Sequence, residues 1–538
     1  MKNNIKISLF IAFIFIVVFT FTSCDKDLTK LTGPLTSIKD VKAYLESKHK
    51  SGSTPDNALP LPIAFDGGLG VMADADSPWR QLLGAIFAAN KYVNLDLSLC
   101  EMEINGIFDP LSDTKTGEGF IVSLILPNAA GRIQSKYYQA PLFYNFLHLK
   151  HISGENVLYI DSNAFAGMQN LIRADFPSAE FIGSDAFFDC QKLVLADIPK
   201  AVTIEEQAFY GTKITEANFP LAETIGKETF QDCQSLEKVN LKNAQRIGDY
   251  AFFGCVNLIS IDLPQAVSIG NHAFRKCENL KEISFPASAR VGEALFLNCG
   301  SLVSFNLSGE GDLSVIEDGR ALIRNYNKEI ELIAYHCAEG EVEIKEITKI
   351  RSYAFAGAAK LVSVNFPLVS TIGEEVFLWC DKLESINFPV LKKLNRSAFE
   401  ELPGLSTANF PAVISIDEHA FKNCVKLNTL HIPSVEYIES EAFAVDSYNI
   451  FDSSLNITFG HTAPNLGTNI FFGAEKIINV YVPKNANGYG KVPAIYEGGD
   501  TEQNWGNGFR GKGWDGHIGG YNVGAVNSGI TLNIMFTD

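Results

Sequence analysis

Leu258-Ile259-Ser260-Ile261-Asp262-Leu263-Pro264, followed by Ser268-Ile269-Gly270 and Ala273-Phe274-Arg275-Lys276-Cys277, is one turn of a pattern that returns along most of the chain. Its phenylalanine recurs every 22 residues at Phe165, Phe187 and Phe209, then after a single 21-residue step at Phe230, Phe252, Phe274 and Phe296. The same beat resumes at Phe355 and continues through Phe377, Phe399, Phe421 and Phe443. A fixed period of this length means that each unit buries its apolar side against its neighbour, because one unit has too few side chains to enclose a core of its own. The chain therefore reads as a solenoid. In Leu236-Glu237-Lys238-Val239-Asn240-Leu241 the alternation predicts a short strand with its apolar members inward and Lys238 and Asn240 outward. Proline follows in most units, as Pro177, Pro199, Pro220 and Pro264 do, and ends the strand because it has no N–H for the ladder. Ile182, Ile204, Ile225, Ile247 and Ile269, and later Ile372, Leu394, Ile416 and Ile438, form an apolar column on the return path.

A chain of 538 residues fits such a stack as one body, since each coil touches only its neighbours. Lys and Arg total 44 against 62 Asp and Glu, a formal charge of −18 that opposes a phosphate backbone, so no nucleic-acid partner is expected. Cys190, Cys233, Cys255, Cys277, Cys299, Cys380 and Cys424 each stand three residues after the repeat phenylalanine, in a column that elsewhere holds Met168, Thr212, Ala358 or Leu402. A slot shared by small and apolar residues is an interior one. These cysteines are therefore expected as buried free thiols, with cross-links between coils or metal binding as the competing readings.

The chain divides into seven segments. Residues 1–23 read as a lipoprotein signal peptide, 24–60 as a tether with a short helix, and 61–150 as an N-terminal cap with the first irregular coils. Repeats occupy 151–300 and 351–483, an irregular insert with a hairpin occupies 301–350, and 484–538 is a Gly- and aromatic-rich C-terminal cap. In the leader, Lys2 and Lys6 precede an apolar run from Ile7 to Phe21 that is short for a membrane span. Phe21-Thr22-Ser23-Cys24 resembles the bacterial lipobox, which makes Cys24 the lipidation candidate, although Phe21 departs from the usual leucine. An ordinary cleaved signal and a retained anchor stay open as alternatives. The first helix is capped by Thr36 or Ser37, with Val41, Tyr44 and Leu45 on one face. The second has Ser77 as N-cap, Pro78 at its first position, and Trp79, Leu82, Leu83, Ile86 and Phe87 on one inward stripe. Ala321-Leu322-Ile323 and Glu331-Leu332-Ile333-Ala334-Tyr335 flank Asn325-Tyr326-Asn327-Lys328 and predict the hairpin. A last unit is expected around Phe472, and a final strand from Ile530 to Phe536.

The unit at 258–277 resembles the BspA-like class of leucine-rich repeats, and the likeness runs over roughly residues 120–485. The leader segment is similar to that family's surface lipoproteins in Asp76-Ser77-Pro78-Trp79, Tyr92-Val93-Asn94-Leu95-Asp96-Leu97 and Ile121-Val122-Ser123-Leu124-Ile125-Leu126-Pro127. The resemblance implies a right-handed leucine-rich-repeat superhelix of about 22-residue coils with short parallel strands on one face and a helical N-terminal cap. It implies an outer-membrane lipoprotein at the surface of a Gram-negative bacterium. Such proteins are associated with adhesion to host matrix proteins and to other bacteria.

If the strands line one face, the outward positions at their ends form the candidate binding face: Asp175, Asp197, Asn218, Asn240, Asp262 and Asn306, then Asn365, Asn387, Asn409 and His431. A second row beside it includes Arg173, Lys238, Ser260, Ser363, Ser385, Thr407 and Thr429. Small polar side chains at about 5 Å spacing make a flat hydrogen-bonding strip suited to an extended protein, and equally are what a solvated strand tolerates. Trp505, Phe509, Trp514 and Tyr521 in the tail offer either a glycan-stacking surface or a plug for the end of the rod. No Gly-x-Ser-x-Gly, His-Glu-x-x-His or Walker-type loop occurs, and the apolar columns call for no cofactor. His148 and His151, and Asp74 and Asp76, lack the partners of a metal site. The expected function is non-enzymatic protein binding at the cell surface, with glycan or nutrient capture as the alternative.

Overall fold

The computed structural model describes residues 33–48, 50–102, 106–110, 117–134, 141–446, 454–462, 464–466, 471, 477–486 and 531–537. The repeats form a stacked, three-sided coil. On the strand side, three-residue strands such as Ser385–Asn387 and Thr407–Asn409 pair parallel and in register, Ser385 opposite Thr407 and Asn387 opposite Asn409. On the return side, two-residue strands such as Thr224–Ile225 and Arg246–Ile247 make a second parallel ladder. Identical repeat positions therefore share one environment along the stack, as the period requires.

The third side carries the Ala-Phe signal and is also a ladder. The N–H groups of Asp185, Phe187 and Asp189 donate to the carbonyls of Glu206, Ala208 and Tyr210 in the next coil at 3.0, 2.8 and 2.8 Å. The backbone enters the left-handed region on both sides of the phenylalanine, where Asp185 and Asp189 have φ of 58° and 53°. The pattern recurs at Gln207 and Gly211, at Tyr250 and Gly254, and at His419 and Asn423. Left-handed φ costs a non-glycine residue about 1–2 kcal/mol, which the inter-coil hydrogen bonds offset only because every coil repeats the same geometry.

Inside, the repeat phenylalanines stack face to face: Phe187 on Phe209 at 5.1 Å and 8°, Phe252 on Phe274 at 5.4 Å and 7°, Phe421 on Phe443 at 5.2 Å and 3°. The return-side isoleucines and leucines are buried with them. The column cysteines are free and buried, and each thiol donates to the carbonyl of the repeat phenylalanine one coil back, as Cys190 does to Phe165 at 3.0 Å and Cys255 to Phe230 at 3.1 Å. Burial pushes the Cys190 and Cys233 thiols up to about 12, so they stay protonated and unreactive.

At the N-terminal end, α1 (Ile38–Ser47) is capped by the Ser37 hydroxyl, which accepts from the Asp40 N–H, and buries Val41 and Leu45. In α2 (Pro78–Ala89), Ser77 accepts from the Arg80 N–H, and Trp79, Leu82, Leu83 and Ile86 are buried. Phe87, expected on that stripe, is 55% exposed and makes an edge contact with Phe120. It lies one helical step beyond the face that touches the coils. The Trp79 ring continues the phenylalanine column outward through Phe108 and Phe143, with centroid separations of 5.9, 6.3 and 4.8 Å down to Phe165. Leu59–Pro62 is the first strand, pairs parallel with Val93–Asp96, and straddles residue 60, where the tether was expected to end. Its two prolines are tolerated because it is the sheet's outermost strand, so their missing N–H groups leave no partner unpaired.

Between Phe296 and Phe355 the chain makes an antiparallel meander of Leu313–Ile316, Ala321–Tyr326 and Glu329–Ala334. Asn327 and Lys328 have φ of 50° and 70°, the conformation of a two-residue hairpin turn. The last meander strand then pairs parallel with Lys349–Ile350 and so joins the return-side ladder. The hairpin separates two cores: Leu322 and Ile333 face the N-terminal one, and Ala321, Ile323 and Leu332 the C-terminal one. Tyr335 takes the phenylalanine position in a shortened coil, donating its N–H to Ala354 and lying 5.8 Å from Phe355. Arg351 crosses the joint, with its guanidinium 3.3 Å from the Val291 and Gly292 carbonyls and 2.7 Å from Glu331. At the C-terminal end Phe471 stacks on Phe443 at 5.4 Å, one residue before the expected Phe472, which lies outside the described residues. Thr531–Thr537 closes the strand side against Ile477–Pro483.

Candidate functional site

Each candidate residue sits at an outward position of its strand, the last one except for Asn306, and strict alternation aims the side chain away from the core. The ten do not form one uninterrupted column. Asp175 pairs across to Asp197, Asn218 to Asn240, and Asp262 through Ser284 to Asn306. Asn365, Asn387, Asn409 and His431 form an unbroken series. The meander separates the two groups.

In the C-terminal group the carboxamides bond to one another along the stack. Asn409 donates to the Asn387 oxygen at 2.6 Å, Asn387 to Asn365 at 2.7 Å, and Asn365 to Glu343 at 3.0 Å. Glu343 was missed by the sequence reading, yet it stands one period before Asn365 and was findable by counting back. Ser363, Ser385, Thr407 and Thr429 run beside this chain as a hydroxyl row, also in register. Asn365 and Asn387 each spend one N–H and the oxygen on neighbours, and Asn409 one N–H, which fixes their rotamers and leaves the second N–H for solvent or a partner. Partial burial holds the His431 imidazole below its usual pKa, so the strip's C-terminal end is neutral at pH 7.

The N-terminal group is charged and less connected. Arg173 chelates Asp175 within its own strand at 2.6 Å, Asn240 donates to Asn218 at 2.7 Å, and Asp197 and Asp262 stand exposed. Among the described residues, no group of three or more His, Cys, Asp or Glu is placed to hold a metal ion. His148 is tied to the Gly119 carbonyl at 2.7 Å and packs against Tyr92. Cys24 and the tail aromatics Trp505, Phe509, Trp514 and Tyr521 lie outside the described residues. Among the described residues, no helix is long and apolar enough to cross a membrane.

Among solved structures, the chain is similar to a leucine-rich cell surface protein of Faecalibacterium prausnitzii, 23% identical over 59% of this chain and 83% of that one, with a TM-score of 0.45. A leucine-rich repeat protein of Bacteroides ovatus is 21% identical over 68% and 80%, TM-score 0.42. The pneumococcal vaccine antigen PcpA is 17% identical over 68% and 80%, TM-score 0.43. No curated protein matches the chain. The sequence model of the BspA type leucine rich repeat region matches residues 122–206, 202–318 and 335–450, in six copies and over more than half of the chain. The in-register coils and the family match agree, and the chain belongs to the BspA-type leucine-rich repeat family.

Proposed function

We propose that the chain is a non-enzymatic lipoprotein of a Gram-negative cell surface, anchored through Cys24, whose strand side binds proteins and mediates adhesion to host matrix or to another bacterial surface protein. The observation that carries this reading is the pair of registered rows on the C-terminal stack, Asn365, Asn387, Asn409 and His431 beside Ser363, Ser385, Thr407 and Thr429. The rows offer donors and acceptors at the repeat distance of a β-ladder, which matches an extended partner, and the ladder bonds hold them in place before binding. The rows contain no Trp, Tyr or Arg, so binding is weak per site and gains strength from many copies on one cell. The family's repeat architecture and the chain's charge of −18 support a protein rather than a nucleic-acid partner.

Asn387→Lys combined with Asn409→Lys is expected to abolish binding of the full-length protein to purified extracellular-matrix proteins. Thr371→Lys on the return side leaves it intact. Unchanged binding by the double variant sinks the strand-side site. Cys24→Ala is expected to abolish palmitate labelling and release the protein from the membrane fraction, and protease shaving of intact cells reads whether it faces outward.

A further inference from the structure

The return side is closed wherever glycine follows the column isoleucine. A Cβ on Gly226, Gly248, Gly270 or Gly292 would stand 2.5–2.6 Å from the nearest backbone atom of the coil before it, a distance that real side chains do not reach. On Gly373 the separation would be 2.2 Å. In the next three coils that glycine is replaced by Asn395, Asp417 and Glu439. Here the side opens into a groove of about 530 Å³ lined by Lys393, Ser415, Asp417, Tyr437, Glu439 and Asn465. Its volume falls within the roughly 300–1,000 Å³ of small-molecule sites. Tyr437 is 53% exposed, and its strand pairs in register with Ser415 on one side and Asn465 on the other. An exposed aromatic residue therefore stands between two polar ones in the lining of an open groove.

We propose that this groove is a subsite for a neutral pyranose ring. The Tyr437 face supplies a platform for the ring's C–H edge, and the carboxylates of Asp417 and Glu439 with the Asn465 carboxamide supply planar acceptors and donors for its hydroxyls. Lys393, the cation among the lining residues, is held by Asp417 at 2.8 Å, so it is already engaged. With its acceptors in surplus, the groove disfavours sialic and uronic acids. It lies on a different side of the coil from the protein-binding strip, so the two fail or succeed separately.

The test is a glycan array followed by titration of the bound neutral glycosides onto the full-length protein. Tyr437→Ala is expected to weaken them by about tenfold or more, Tyr437→Phe to keep most of the affinity because the ring face is retained, and Asn387→Lys to have no effect. Glu439→Gln reads the same groove if the alanine variant loses its fold, and should also weaken binding. The proposal is overturned if no neutral glycan binds, if binding ignores both Tyr437 and Glu439, or if acidic glycans or putrescine bind there as well as neutral sugars do.

Discussion

The N-terminal and C-terminal stacks are built from the same coil but fill its columns differently. In the N-terminal stack the position before the strand-ending proline is mixed, as Phe176, Ile198, Phe219, Leu263 and Phe285, and the ring neighbours of the repeat phenylalanine Phe187 are Phe165 and Phe209. In the C-terminal stack that position is Phe366, Phe388 and Phe410, so Phe399 is surrounded by Phe377, Phe388, Phe410 and Phe421. The N-terminal stack has glycine at the return corner in four successive coils and a charged strand side, whereas the C-terminal stack has an open corner and a neutral amide row. A solenoid coil thus accepts different fillings provided each column is consistent along the axis. Each stack carries its own core, and the meander joins them.

The largest test of this contrast is aromatic. Phe187→Ala and Phe399→Ala should each cost about 3–5 kcal/mol in urea unfolding, with Phe399→Ala at the upper end and lowering the C-terminal stack first. Equal costs would mean that the second phenylalanine column adds nothing.

Next comes the joint. His336 is 4% exposed, bonds the Ala356 carbonyl at 2.7 Å, and is pushed by burial down to about 4. Because its folded pKa lies below the unfolded value of about 6.5, the unfolded chain binds the extra proton in that window. Stability is therefore complete above about pH 6.5 and falls by roughly 3 kcal/mol as pH drops toward 4. The expected result is an acid-induced separation of the two stacks' unfolding transitions, flattened by His336→Gln. Glu331 adds to this at lower pH. Burial alone would raise its pKa, but Arg351 and Lys349 hold it below the usual value, so its contribution is present above about pH 4.3 and lost below.

Smaller effects separate the two return corners. Gly248→Ala should cost about 1–3 kcal/mol because its Cβ meets backbone, while Asp417→Gly should be tolerated and narrow the groove, read by thermal unfolding and by loss of sugar binding. The smallest concerns the amides. Asn387→Ala breaks two ladder bonds and should cost about 1 kcal/mol, against less for Asn240→Ala, which breaks one.

The period alone carried the coil, the inward columns and the buried cysteines, because a stack with one-coil contacts turns sequence spacing directly into spatial neighbourhood. The same counting placed the ten candidate residues on the strand side, and it would have found Glu343. It missed the Leu59–Pro62 strand, since proline has no N–H for a ladder and only the outermost position in the sheet excuses two of them. It also placed Phe87 inward, because a helical stripe read alone does not show where its contact surface ends.

Residue spacing sets the repeating local environment: which positions are core, strand, return and turn. Everything that depends on how coils meet is set by their packing. The left-handed turn ladder exists only as hydrogen bonds to the next coil. The split into two cores follows from a meander whose two faces serve different stacks. The groove at Tyr437 opens where side chains replace the glycines that hold other coils close.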